Sequence, residues 1–100
     1  MTLRPFFRRP ARLDLDEAAE WYESQQLGLG LGAEFISEIE AALVQACDAP
    51  QRFPLVVGDV RRVRVRRFPY SILFRVRSNA LIVLSVFHAR RDPATWRGRR

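Results

Sequence analysis

The run Ala80-Leu-Ile-Val-Leu-Ser-Val-Phe87 is apolar on both alternating faces, with Leu81, Val83 and Phe87 on one and Ile82, Leu84 and Val86 on the other. Successive side chains of a strand point to opposite sides, so such a run needs cover on both. It is too short to cross a bilayer as a helix, which takes about 20 apolar residues. It therefore reads as a central strand, and the rest of the chain must supply its neighbours and its cover.

The neighbours lie just upstream. After Pro69, residues Tyr70, Ile72, Phe74 and Val76 alternate with Ser71, Leu73, Arg75 and Arg77, and Ser78-Asn79 supplies a tight turn into Ala80. From Val60 the same period of two turns Val63 and Val65 toward a core and Arg62, Arg64 and Arg66 away from it. Leu3 to Arg8 holds Pro5, which suits an edge strand.

The cover comes from two helical stretches. Asp14-Leu-Asp-Glu17 has the form of a capping box, with Asp14 as N-cap, and Leu15, Ala18, Ala19 and Tyr22 then share one stripe. Trp21 and Tyr22 read as rim and core residues. The first helix is expected to end near Leu27, before Gly28. The segment Gly28-Leu-Gly-Leu-Gly32 has the look of a phosphate loop, but no strand precedes it and no Lys-Ser or Lys-Thr pair follows, so it reads as an interhelical turn. The second helix buries Ile36, Ile39, Leu43 and Cys47, exposes Glu34, Glu38 and Asp48, and stops at Pro50 and Pro54. The expected fold is α+β: a short N-terminal strand, an antiparallel helical hairpin and a three-strand meander (β-α-α-β-β-β), in a single domain spanning residues 1–100.

With 48% hydrophobic residues the chain can bury a core without staples, and Cys47, the lone cysteine, has no internal disulfide partner. No apolar signal stretch follows the arginines of residues 1–12, so a soluble, cytoplasmic protein with no membrane partner is expected. Charge is segregated. Residues 13–49 carry nine acids and no arginine, residues 60–100 carry twelve arginines against Asp92 alone, lysine is absent, and the net charge is +6. Fixed cations on a rigid sheet suit a phosphate-bearing or strongly acidic partner.

Arg62, Arg64 and Arg66 on one strand and Arg75 and Arg77 on the next are expected to share one face. With Arg90, Arg91 and Trp96 they form the candidate binding set for a target or partner. His88 and Arg90 are the candidates for acid–base and charge-stabilising roles if the protein is a nuclease. Trp96 serves either as a plug on the sheet or as a stacking surface. One histidine and one cysteine make no metal site, and no cofactor is expected.

Several segments together resemble the RelE/ParE superfamily of bacterial type II toxin–antitoxin systems, the plasmid-stabilisation toxins. They are Trp21-Tyr-Glu23, Gly28-Leu-Gly30 with Phe35, Phe53-Pro54, Phe68-Pro-Tyr-Ser-Ile-Leu-Phe-Arg-Val76, and Val86-Phe-His-Ala-Arg-Arg-Asp-Pro93 with Trp96. The resemblance covers about residues 11–97. It implies a toxin neutralised by, and forming a hetero-oligomer with, a cognate antitoxin. RelE-like members cut mRNA at the ribosome; where they carry an arginine after the third-strand tyrosine and a late tyrosine, this chain has Ser71 and Trp96. The resemblance is nearer the ParE branch, which implies a non-enzymatic inhibitor of DNA gyrase. The alternatives are a ribosome-dependent mRNA endoribonuclease, acting on ribosome and mRNA through His88 and Arg90, and a degenerate member without toxicity.

Overall fold

The computed structural model describes residues 2–25 and 29–90. Strand β1 (Arg4–Phe7) leads into helix α1 (Arg9–Gln25) and helix α2 (Leu31–Asp48), and a single 3-10 turn (Pro50–Arg52) follows. Four strands complete the fold: β2 (Leu55–Val57), β3 (Val60–Arg64), β4 (Tyr70–Arg77) and β5 (Ala80–His88). One five-stranded sheet results, in the order β1-β5-β4-β3-β2, with β1 parallel to β5 and every other pair antiparallel. The α+β architecture matches the expectation, and β5 lies inside the sheet with Pro5 on an edge strand. Strand β2 was not anticipated: Leu55-Val-Val57 is three residues long, and the Gly58-Asp59 turn after it, with Gly58 at φ 54°, folds it onto β3.

Helix α1 begins at Arg9, a turn earlier than the Asp14 cap the sequence suggested. Its buried stripe explains this, because it starts at Ala11 and runs through Leu15, Ala18 and Tyr22. Pro10 does not interrupt it, since the first four N–H groups of a helix have no intrahelical acceptor. Asp14 is therefore free of capping duty and reaches across to the sheet. Its Oδ2 accepts the Val86 N–H at 3.1 Å and the Ser85 hydroxyl at 3.4 Å. That backbone N–H lies past Val83, where the β1 pairing ends, so the carboxylate satisfies an amide on the stretch of β5 that β1 leaves uncovered.

The helices pack on one face of the sheet. Phe35, Ile39, Leu43 and Cys47 of α2 join Leu15 and Tyr22 of α1 above Val63, Ile72, Phe74, Leu81, Val83 and Val86. A fully buried Leu, Ile or Phe contributes about 1.5–3 kcal/mol relative to an exposed one, so these residues carry most of the stability. Burial pushes the Cys47 thiol above its ordinary pKa, and Asp48 adds to the shift, so the thiol stays protonated. A second, smaller cluster of Val60, Leu73, Leu84 and Phe87 occupies the opposite face.

A bulge sorts β5 between the two clusters. Leu73 pairs with Ser85 and Phe74 with Val83, which leaves Leu84 as the extra residue. Beyond a bulge the alternation changes parity. Val86 thus joins Leu81 and Val83 under the helices, and Phe87 joins Leu84 on the far side, where simple alternation had grouped Phe87 with Leu81 and Val83.

The interhelical turn brings α1 and α2 close. A Cβ built on Gly32 would lie 2.7 Å from the Ala19 carbonyl oxygen, and the Gly32 N–H donates to Glu23 Oε1 at 3.2 Å. Alanine at this helical position gains about 1 kcal/mol in propensity, whereas pressing a methyl against backbone costs about 1–3 kcal/mol. Gly32→Ala is expected to lower stability by up to about 2 kcal/mol by these magnitudes, read as a reduced urea midpoint at unchanged slope.

Candidate functional site

The sheet face away from the helices gathers part of the arginine set. Arg62 stands opposite Leu73 and Arg64 opposite Ser71, and Ser71 in turn faces Phe87. Leu73 and Phe87 belong to the far-face cluster, so Arg62 and Arg64 project on that side. Together with Ser71, Phe68 and Phe87 they line a pocket of ≈ 330 Å³ at the end of the sheet. Arg64 is exposed and Arg62 half-buried. Two guanidiniums over a partly apolar floor suit an anion that also offers an apolar surface.

Arg75 and Arg77 share the parity of Leu73 but are already engaged. Arg75 Nη2 and Arg77 Nη1 each donate to Asp59, to Oδ1 and Oδ2 respectively, both at 2.6 Å. The two hydrogen bonds hold the Asp59 carboxyl well below the usual carboxylate range. Five mutually repelling cations were expected to need an outside anion. The β2–β3 turn supplies one from within the chain, and Asp59 is the residue that sequence reasoning missed. The available signal was the Gly58-Asp59 pair between two β-branched runs, the form of a hairpin turn.

Arg66 leaves the array altogether. Strand β3 stops at Arg64, and the chain then loops through Arg67 at φ 71° to Pro69, which has no N–H for the ladder. The Val65 N–H donates to the Tyr70 carbonyl and closes this connection. Arg66 is exposed on the loop rather than on the strand. Its neighbour Arg67 turns to the helical side, with Glu34 Oε2 at 3.5 Å, Glu38 Oε2 at 3.9 Å and its guanidinium 5.8 Å from the Phe68 ring.

His88 stands on the helical side. It pairs with Tyr70 across the β4–β5 ladder, and the two rings meet edge to face at 5.2 Å. The β5 bulge is the cause: without its extra residue, His88 would share the parity of Leu84 and face the arginines. Instead it lines a separate groove of ≈ 640 Å³ with Asp14, Glu17, Trp21, Tyr22 and Tyr70. Its Nδ1 accepts the Arg90 backbone N–H at 3.0 Å. The Arg90 side chain is exposed just past the strand. Tyr22 is buried in the core, with its phenol pushed above the ordinary value by burial and then by Tyr70, whereas Trp21 is 54% exposed. Arg91 and Trp96 lie outside the described residues.

The Asp59 clamp makes two measurable predictions. Asp59→Asn releases Arg75 and Arg77, so the variant should elute from heparin at higher salt than the wild type. Because the folded-state pKa of Asp59 is depressed, its contribution to stability is present above the ordinary carboxylate value of about 4 and is lost as pH falls below it. The melting-temperature gap between wild type and Asp59→Asn should therefore be largest near neutrality and shrink under strong acid.

No curated protein matches the chain in sequence. Two solved structures share its fold at low identity. A toxin–antitoxin structure described as the chromosomal ParDE system from P. aeruginosa has a chain 21% identical, with a TM-score of 0.73, over 87% of this chain and 96% of that one. The RelBE2 toxin–antitoxin complex from Mycobacterium tuberculosis has one 22% identical, with a TM-score of 0.59, over 88% and 99% respectively. A family model described as the ParE toxin of the type II toxin–antitoxin system parDE matches residues 6–93, and the chain belongs to that family.

Proposed function

We propose that the protein is a toxin that inhibits DNA gyrase by binding it, without chemistry of its own, and that a cognate antitoxin silences it as a hetero-oligomer. It would act in the cytoplasm, where gyrase works, and would stabilise the replicon that encodes it. The observation that carries this choice over RNA cleavage is the separation of His88 from the arginines. An acid or base must come within hydrogen-bond reach of the proton it moves, and the charges that stabilise the transition state must converge on the same atoms. Arg62 and Arg64 line one pocket and His88 another, and the two meet only at Pro69 and Tyr70. Among the described residues that line the arginine pocket there is no carboxylate or imidazole, and the Ser71 hydroxyl and the Tyr70 phenol are its neutral polar groups. It is equipped to bind an acidic surface.

The antitoxin fits as a short, acidic and apolar chain that orders on binding and trades that entropy for a long interface. Phe6, Leu13, Val44 and Leu55 are exposed on separate elements, and a wrapping segment would cover them together.

Purified gyrase tests the reading directly. Micromolar protein is expected to block supercoiling, and Arg64→Ala is expected to weaken inhibition about tenfold, the loss of one charge-assisted contact. His88→Ala should inhibit like the wild type. Unimpaired supercoiling, together with ribosome-dependent mRNA cleavage that His88→Ala abolishes, would reverse the assignment.

A further inference from the structure

The groove beneath α1 has a chemistry opposite to that of the arginine pocket. Its wall is a run of four rings in sequence of contact. Trp21 meets Tyr22 edge to face at 5.0 Å, Tyr22 meets Tyr70 at 6.1 Å, and Tyr70 meets His88 at 5.2 Å. Asp14 and Glu17 add carboxylates to this aromatic wall. Asp14 is committed to Ser85 and Val86. Glu17 is exposed, and among the described residues no hydrogen bond or ion pair holds it. Trp21 keeps more than half of its surface in water, which is unusual for the largest apolar side chain on a helix whose core face is already complete. Leu13, Glu17 and Trp21 fall four residues apart, so one exposed ridge of α1 borders the groove.

We infer that this groove is a binding site for a cationic side chain, an arginine or lysine presented by a partner polypeptide, with the guanidinium or ammonium against the aromatic wall and its charge met by Glu17. Ring faces attract cations, and the attraction grows when a carboxylate shares the site and part of the water is excluded. A guanidinium also stacks on Trp and Tyr faces with its planar fork free to reach a carboxylate. His88 contributes its ring edge to the wall, with Nδ1 already engaged by the Arg90 N–H. Apolar flanks on the partner would rest on Leu13. The groove's volume of ≈ 640 Å³ accommodates a side chain of this size with part of its backbone. Local charge thus selects a basic residue here, although the whole chain carries +6. The inference is independent of the choice of target and does not rest on gyrase binding.

The test is an NMR titration of the full chain with the peptide acetyl-Ala-Arg-Leu-Ala-amide, following the Trp21 indole and His88 imidazole resonances. The control is the same peptide with citrulline for arginine, which keeps the shape and removes the charge. Saturable shifts of both resonances are expected with the arginine peptide, at an affinity on the order of millimolar for one exposed cation site. Glu17→Gln is expected to weaken binding several-fold, and Trp21→Leu to abolish it while the circular dichroism spectrum is kept. Equal binding of the citrulline peptide, or no saturation with the arginine peptide, would overturn the assignment. So would movement of the same resonances, without peptide, when Arg91, Arg97, Arg99 and Arg100 are changed to glutamine, because the chain's own tail would then be the occupant. Glu17→Gln should leave gyrase inhibition unchanged, which separates failure of this site from failure of the functional reading.

Discussion

Four aromatic rings meeting at one end of the sheet hold the molecule together. Phe35 of α2 touches Tyr22 of α1 at 5.2 Å, Phe68 at 5.2 Å and Tyr70 at 5.0 Å, and Tyr22 also meets Phe68 at 4.9 Å. These residues come from both helices, the β3–β4 connection and the start of β4, so a single cluster sets the seat of the helical hairpin on the sheet. Aromatic contacts of this kind, three edge to face and one tilted, are worth about 0.5–1.5 kcal/mol each beyond the area they bury. Phe68 and Tyr70 also border the arginine pocket, and Tyr22 and Tyr70 the groove. Both candidate sites are thus edges of one packed core, and their separation follows from it.

The sequence was informative wherever structure is local. The stripe of Leu15, Ala18 and Tyr22 and the alternation of Val63 and Val65 appear as their periods require, and β5 is central as its apolarity on both faces demands, because periodicity reports which face a core will cover. Reading failed where a residue's role depends on something distant. Asp14 looked like a cap, but its acceptors are Val86 and Ser85 on the last strand. Asp59 looked incidental until the β2–β3 turn set it against Arg75 and Arg77. The bulge at Leu84 had no local signature, and it alone decides which way His88 faces. A strand read with strict period two would have placed histidine and arginines in one site and strengthened the nuclease reading for a reason that the fold removes.

The segregation of charge along the chain is also only partly kept in space. Arg67 crosses to Glu34 and Glu38 of α2, Asp59 neutralises two cations of the sheet, and Arg12 pairs with Asp16 at 3.3 Å on α1. Exposed pairs of this type contribute about 0–1 kcal/mol each and are screened by salt, so their importance lies in shaping the field rather than in stability. Among the described residues, subtracting the engaged cations leaves Arg62 and Arg64 as the focus of positive charge on the far face, with the acids of α1 behind. A partner meets two surfaces of opposite sign on one small body.

The parallel pairing of β1 with β5 sets Arg4 opposite Ala80 and Phe7 opposite Val83. Strand β1 therefore waits for β5 before it has a neighbour in the sheet. Closing so long a loop is slow compared with forming the helical hairpin, and until it closes the apolar undersides of α1 and α2 have no complete sheet to rest on. During synthesis the nascent chain is an incomplete fold, with the sheet unassembled until β5 has been made. Any partner that recognises the helical hairpin thus has an interval in which to meet it before the sheet is complete.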